Sequence, residues 1–386
     1  MKVVFFSSTG RMVGGAAMCL KEILPYCLKN GIEPFVILRS DGDFADYLRQ
    51  LGIRYEVVKY HDWLRPKKDH GGLKNELKWR IKDIENSFAE KKVRKILMRE
   101  KPDVYHLNVI YNPCGARSAH ELGIPVVWHL REFAEIDSNT PFFRNRDKAY
   151  NLIAQSEKIV CVSDSIKEFY SQFIPADNMV RIYDGIIMPQ EQPTLRERHK
   201  VCNITLSGGA RVKGHNDLIE AAKMLLDNGH SDFHIKIAGR FADAAYLNSL
   251  KAKTAELGLT DKIEFTGFLK DMDSLWAQTD LAVICSRFES FGLSVCEAMA
   301  RAIPVICANS TGTYEVTARG KYARMYEIGD INTLCDKITQ ILLNYNSAAE
   351  EALQSADYVR KTFSITKSCE ELVKVFTDIN KSSANF

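Results

Sequence analysis

Short apolar runs alternate with longer stretches of helical period along the whole chain, and this alternation limits the fold more than any other feature. The runs Val3–Phe6, Phe35–Leu38, Tyr55–Val58, Val104–Leu107, Val126–His129 and Ile159–Val162 are almost continuously apolar. Helical patterns lie between them near Gly15–Lys29, Phe44–Leu51, Leu73–Glu100 and Ser165–Phe173. A strand with one wet face alternates in polarity, whereas a parallel strand covered by helices on both faces does not. The pattern restarts at Ile204–Ser207, His234–Ala238, Ile263–Phe265, Leu281–Ile284 and Val305–Ala308. Between the two series, Met188–Lys200 (MPQEQPTLRERHK) is polar, carries two prolines and has no period, so it reads as a linker. Two helical patterns close the chain, near Asn346–Thr362 and Ile365–Ile379. The expected architecture is α/β: two doubly wound, Rossmann-like parallel-sheet domains of similar size facing each other across a cleft. A length of 386 residues suits two domains, because single cores stop growing near ~250–300 residues.

The totals narrow the function. A net charge of +3 is small for this length; it argues against bulk nucleic-acid binding and leaves local basic patches open. Of the ten cysteines, Cys19, Cys27, Cys161, Cys285, Cys296, Cys307 and Cys335 sit in apolar runs, and no C-x-x-C pair occurs. That pattern points to reduced, buried thiols rather than to disulfides or zinc. The start, MKVVFFSSTG, has too short an apolar run for a signal peptide. No run approaches the ~18 apolar residues of a membrane span. The expectation is a cytoplasmic protein, at most peripheral on the inner face of a membrane.

In doubly wound sheets, ligands sit beyond the carboxyl ends of the strands, and that rule selects the residues to weigh. The first strand runs into SSTGRMVGGAAMCL, where Gly10, Gly14 and Gly15 precede an amphipathic helix. This is a phosphate-approach loop or a plain strand-to-helix turn. It lacks the G-x-G-x-x-G spacing, which demotes a nicotinamide cofactor. In the second series, Ile204–Ser207 leads into GGARVKGHNDLIEAA, with Gly208, Gly209, Arg211 and Lys213 ahead of a helix near His215. Two cations there suit a diphosphate, or else are solvated surface charges. His129 ends a strand and is either a structural histidine or one directed at the cleft mouth.

The stretch CSRFESFGLSVCEAMARAIPVICAN, 285–309, sets Glu289 and Glu297 eight residues apart. On one continuous helix the two would diverge by ~80°. A loop up to Ser290 and a helix from Gly292–Leu293 instead lets one carboxylate meet a sugar and the other a ribose, with helix-start amides between. The alternative is a dipole-complementing Glu289 and an exposed Glu297. The pairs Asp41–Gly42–Asp43 and Asp271–Met272–Asp273 read as N-cap clusters.

These residues resemble a known family. Ser286-Arg287-Phe288-Glu289-Ser290-Phe291-Gly292 running to Glu297-Ala298-Met299-Ala300, then Ile303-Pro304-Val305-Ile306, looks like the E-x7-E signature of retaining GT-B glycosyltransferases of family 4. The Gly14-Gly15 loop, VCVSDSIK (160–167), RIYDGI (181–186), Lys213-Gly214, KIAGR (236–240) and FTGFLKDMDSLWAQTDLAVICS (265–286) agree in order. The resemblance implies domains at 1–187 (acceptor side), 188–362 (nucleotide-sugar side) and 363–386 (a helix crossing back). It implies transfer of a sugar from a nucleotide-diphosphate sugar, a UDP-sugar before a GDP-sugar, to a saccharide or lipid-linked acceptor. Surface polysaccharide or glycolipid synthesis is the implied setting, with no metal and no other cofactor. Carried over by position, Glu289 holds the donor sugar's hydroxyls, Glu297 the ribose and Lys213 the diphosphate, with Arg211 as a second cation. Gly267, Phe268 and Leu269 lie along the base, and His129 faces the donor sugar. Gly14, Gly15, Gly209, Gly239, Ser290, Phe291, Gly292 and Leu293 complete the donor site. Two departures stand out. Gly208 occupies the place of the family's phosphate-binding Arg, and Thr311 replaces a glycine before Gly312, which would narrow the sugar or phosphate pocket.

Residues 65–101 hold thirteen Lys or Arg against six Asp or Glu. This is a solvated helix face, or a surface for anionic lipid or a lipid-linked diphosphate. The competing functions are a sugar-nucleotide epimerase on the same fold and a catalytically silent sugar-nucleotide-binding protein. A dehydrogenase ranks last.

Overall fold

A computed structural model describes all residues except 13, 66–68, 70, 139–145 and 384–386. The chain divides into two compact units, Met1–Gly185 with Ile365–Phe386, and Ile186–Ser364.

Unit 1 holds strands β1 (Lys2–Ser7), β2 (Glu33–Leu38), β3 (Arg54–Val57), β4 (Val104–Leu107), β5 (Val126–Leu130), β6 (Lys158–Cys161) and β7 (Met179–Arg181). They form one parallel sheet in the order β3-β2-β1-β4-β5-β6-β7. The runs are apolar because both faces are buried: Val3, Val4, Phe5 and Phe6 are all inaccessible, and on one face Val3, Phe5, Val36, Leu38, Val104 and Val127 pack against Leu20, Leu24, Phe44 and Leu48 of flanking helices. The last helix, Ile365–Ser383, joins this core through Cys369, Leu372, Phe376 and Ile379.

Unit 2 holds β8 (Cys202–Ser207), β9 (Phe233–Ala238), β10 (Ile263–Gly267), β11 (Leu281–Ile284), β12 (Val305–Ala308) and β13 (Arg324–Tyr326). Their order is β10-β9-β8-β11-β12-β13, again parallel. Ile204, Leu206, Ile235, Ile237, Val283 and Ile306 pack against Leu218, Leu225, Leu334 and Ile338.

Two strands lie outside the sequence reading. β7 and β13 each have three residues, contain an arginine and pair on one side only. An edge strand needs little apolar content, so its sequence signal is faint. The segment Met188–Lys200 forms no helix or strand, yet it is tied along unit 2. Arg196 Nη2 donates to the Ala277 and Thr279 carbonyls at 2.9 Å, and Arg360 Nη2 donates to the Pro189 carbonyl at 3.0 Å. Polar side chains and free carbonyls fasten it where no apolar period shows in the sequence.

All ten cysteines are buried and unbridged. Among the described residues, no helix is long and apolar enough to cross a membrane.

Candidate active site

In an open parallel sheet, neighbouring strands whose connections leave to opposite sides open a crevice at their carboxyl ends. In unit 2 that point lies between β8 and β11. The loops that follow these two strands carry Lys213 and Glu289.

After β8 the chain makes a 3-10 turn at Arg211–Lys213, and Gly214 then caps the helix His215–Asp227. Gly214 has φ +69°, and a Cβ there would stand 2.1 Å from the Cys285 carbonyl oxygen. Only glycine permits both the conformation and the approach. Arg287 N donates to the Val212 carbonyl at 2.8 Å, fastening the loop after β11 to the loop after β8. From the other side, Gly312 N and Thr311 Oγ1 both donate to the Glu289 carbonyl at 2.8 Å. A Cβ on Gly312 would fall 2.6 Å from that same oxygen. The Glu289 loop is therefore clamped on two sides, and Glu289 Oε2 lies 2.7 Å from Lys213 Nζ with both side chains largely buried. Thr311, expected to narrow a pocket, uses its hydroxyl to hold this loop.

His215 supports the floor. Its Nε2 lies 2.8 Å from the Gly208 carbonyl, which only accepts, so Nε2 carries the proton and Nδ1 accepts from the Tyr246 hydroxyl at 3.1 Å. Burial lowers its pKa, which keeps it neutral. Gly209 packs on the Arg240–Phe241 backbone and Gly239 on Gly208–Gly209, while Gly239 N donates to the Gly267 carbonyl at 2.8 Å. Just beyond, Phe268 is exposed and Leu269 half-buried.

Glu289 stands in the loop, and Glu297 stands inside the helix Leu293–Met299, capped by Gly292. Glu297 Oε2 accepts from Trp276 Nε1 at 3.3 Å. Burial holds the Glu297 carboxyl above its ordinary range, with Arg301 and the Trp276 bond opposing. Glu297 is thus not an exposed helix charge. Ser290 and Leu293 are half-buried at the loop–helix junction. Phe291 is buried, with its ring 5.5 Å from that of Phe363, so it packs the base of the loop.

Lys213 and Arg211 do not share a partner. Arg211 Nη2 lies 2.7 Å from Asp243 Oδ2, and its guanidinium sits 4.4 Å over the Tyr246 ring. Arg287, quoted in the signature but given no role there, pairs with the buried Asp217 at 2.7 Å. Burial raises the Asp217 carboxyl and Arg287 opposes the shift. Asp271 Oδ1 accepts from Ser274 N at 3.0 Å and caps its helix. The N-cap reading of Asp41–Gly42–Asp43 is corrected. Gly42 is the cap and no side chain serves there. Phe44 N goes to the Gly10 carbonyl at 3.1 Å, and Asp43 Oδ1 accepts from Met12 N at 2.9 Å. The glycine loop after β1 thus takes the groups a capping side chain would meet.

In unit 1, Gly14 caps the helix Gly15–Lys29 with φ +88°. His129 lies near the end of β5 and is only 2% exposed. Its Nδ1 is 3.3 Å from Arg131 Nη2 and 3.4 Å from His106 Nε2. Arg131 pairs with Asp184. The sequence reading gave no role to His106, Arg131 or Asp184 (the last quoted only within RIYDGI), since partners 23 and 53 residues apart carry no local signal.

Two family models match this chain: "Glycosyltransferase Family 4" over residues 13–188 and "Glycosyl transferases group 1" over residues 197–361. The chain belongs to this glycosyltransferase family. Among curated relatives, mannosylfructose-phosphate synthase of Agrobacterium fabrum is 32% identical over 120 residues, 30% of this chain and 26% of that one. N-acetyl-alpha-D-glucosaminyl L-malate synthase of Bacillus anthracis is 23% identical over 60% of this chain and 62% of its own length. An uncharacterized glycosyltransferase of Methanocaldococcus jannaschii is 27% identical over 79% of each chain. The chain thus spans less than two thirds of the length of the first two relatives. Its fold matches that of Anabaena HepE, solved in complex with UDP and glucose, with a TM-score of 0.78 at 21% identity over 98% of this chain and 100% of that one. It also matches sucrose-phosphate synthase from Thermosynechococcus elongatus, with a TM-score of 0.75 at 13% identity over 99% of each chain.

Proposed function

We propose that this protein moves a sugar, with retention of anomeric configuration, from a nucleotide-diphosphate sugar to a saccharide or lipid-linked acceptor in surface polysaccharide or glycolipid synthesis. The observation that carries the reading is the Lys213–Glu289 pair, at 2.7 Å, between the loops after β8 and β11. Breaking a glycosyl–phosphate bond builds negative charge on the leaving diphosphate, and a fixed cation stabilises that charge where it forms. Lys213 takes this role once the diphosphate displaces Glu289, and the freed Glu289 carboxylate accepts from the sugar's hydroxyls. Glu297 accepts from the ribose, and Gly267, Phe268 and Leu269 lie along the base. Ser290, Gly292 and Leu293 supply loop and helix-start amides to the donor, and Gly209 and Gly239 let the backbone approach it. In unit 1, His129 and the Gly14–Gly15 helix start are the residues this reading assigns to a sugar. Arg211 in this reading steadies Asp243 and reaches phosphate only by leaving it. No metal is part of the mechanism. UDP is favoured as the nucleotide because HepE was solved with it.

The acceptor side of this reading includes an anionic membrane surface. The helix Leu73–Glu100 buries Trp79, Ala89, Val93, Ile96 and Leu97. On its opposite face Leu73, Leu77, Ile81, Ile84 and Phe88 follow one another at helical spacing, each between 51% and 92% exposed. Lys74, Arg80, Lys91 and Lys95 are exposed beside this stripe and form no ion pair among the described residues. Lys91 Nζ lies 5.8 Å over the Phe88 ring. An apolar ridge flanked by free cations suits the headgroup region of an anionic bilayer. Of the basic segment, Lys67 and Lys68 lie outside the described residues.

A thermal-shift panel of nucleotide sugars, with nicotinamide dinucleotides as controls, tests the donor assignment. A ligand stabilises by RT ln(1 + [L]/Kd), about 2.7 kcal/mol at a hundredfold excess over Kd. One nucleotide sugar should raise the melting temperature; a shift by the dinucleotides alone would overturn the reading.

A further inference from the structure

We propose that Arg131 is a positioning residue that fixes His129 as a neutral imidazole with its one ring proton on Nε2, so that His129 offers a ligand a hydrogen-bond donor and no base. The inference deepens the proposed function and rests on it only for the identity of the ligand, the transferred sugar.

A guanidinium has donors and no acceptor. Arg131 is buried with each arm directed: Nη1 to Asp184, Nε to Asn108 Oδ1 at 3.3 Å, and Nη2 to His129 Nδ1 at 3.3 Å. Nδ1 must therefore present its lone pair, and the single proton of the neutral ring sits on Nε2. His106 reports the same state. Its Nε2 faces the same Nδ1 at 3.4 Å, where two lone pairs would repel, so it also carries a proton. Protonating His129 at Nδ1 would turn both contacts into donor against donor and place a second cation beside a fixed one.

The charged and titratable groups that shift the ring, Arg131 and His106, act in one direction. His106 comes from β4, and burial pushes its pKa down to about 3. Arg131 and Glu132 follow β5. Asp184, beyond β7, is taken up by Arg131. Cys19 on the first helix is driven above the usual thiol range by burial, and Cys369 on the last helix is pushed up to about 12, so neither is an anion. Burial, then Arg131, then His106 hold the His129 pKa well below its ordinary value. Its Nε2 is buried and has no partner among the described residues. A buried N–H with no acceptor among the described residues suits a hydroxyl oxygen, which can accept without exchanging a proton.

Protein labelled with 15N only at histidine tests this, with the His129 signals assigned by their loss in His129→Asn. The native protein alone should show the Nε2–H pattern unchanged from about pH 5.5 to 8.5, across the ordinary histidine pKa of about 6.5. A proton on Nδ1, or titration in that window, overturns the proposal. Arg131→Gln alone strands Asp184, so Arg131→Gln/Asp184→Asn keeps the site neutral. In it His129 should begin to titrate or exchange tautomers, and an unchanged spectrum would remove Arg131 from the role. Turnover separates the ligand from the tautomer. His129→Asn, which keeps a donor, should stay within about tenfold of native, while His129→Ala should lose on the order of a hundredfold. Equal losses in the two variants would overturn the donor role. A native rate in His129→Ala would overturn the sugar contact while leaving the tautomer result standing.

Discussion

Lys213 and Glu289 hold each other at 2.7 Å, so an anion that takes Lys213 must draw it from a carboxylate. Glu289→Gln should therefore cut turnover strongly yet bind the nucleoside diphosphate as tightly as native or up to about tenfold more tightly, tenfold being 1.4 kcal/mol. Weaker diphosphate binding in that variant, measured by titration calorimetry, would mean that Glu289 does not compete for Lys213. Glu297 makes a pH-dependent case. Burial raises its carboxyl, so the folded chain binds that proton more tightly than the unfolded chain. Its contribution to stability is present below the unfolded value of about 4.3 and is lost as pH rises through the raised folded value. Glu297→Gln should melt at or above the native temperature at pH 8, converge with it near pH 4, and bind the nucleotide more weakly. A loss of several degrees at pH 8 would contradict the shift. At this scale the sequence shows residue type and address but not partner. Lys213, Glu289 and Glu297 stand out because charged residues follow buried strands there. Arg211 resembled its neighbour until folding brought Asp243, 32 residues on, to its guanidinium. Phe291 reads as part of a ligand motif, and only packing shows its ring against Phe363.

Three elements make the site rigid: the turn after β8, the loop after β11 and the helix start at Thr311. They are joined by the Arg287–Val212, Gly312–Glu289 and Thr311–Glu289 hydrogen bonds and by the approach of Gly214 to Cys285. Gly312→Ala would press a methyl group onto the Glu289 carbonyl and shift the carboxylate without touching its chemistry. Misplacement of about 1 Å costs on the order of a hundredfold in rate, so this variant should lose most turnover with its far-ultraviolet dichroism unchanged. Native turnover would show that the clamp does not set the carboxylate's position. The central strands were legible because burial on both faces demands unbroken apolar runs. The edge strands β7 and β13 were not, because half their surroundings are not sheet. The clamp was invisible too: a threonine hydroxyl on a carbonyl 22 residues away leaves no periodic trace.

Across the whole molecule, family membership and two parallel sheets stand beside an apolar ridge on unit 1, and the proposed function sets that ridge against a lipid surface. Charge composition suggested a basic face at 65–101. The structure adds that the exposed cations flank Leu77, Ile81, Ile84 and Phe88, which the sequence hides because the same helix buries a second apolar face. The protein should co-float with phosphatidylglycerol vesicles at low salt, less so at 0.15 M where screening falls to about 8 Å, and not with neutral vesicles. Ile81→Glu/Ile84→Glu should abolish flotation and leave nucleotide binding intact; no flotation of the native protein at low salt would end the membrane reading. The central claim is that unit 2 grips the donor's diphosphate through Lys213. Titration calorimetry of UDP into native protein and Lys213→Ala, with the exposed Lys251→Ala as control, tests it most directly. We expect binding weakened at least about tenfold, 1.4 kcal/mol, in Lys213→Ala alone. Native-like affinity in that variant would contradict the account.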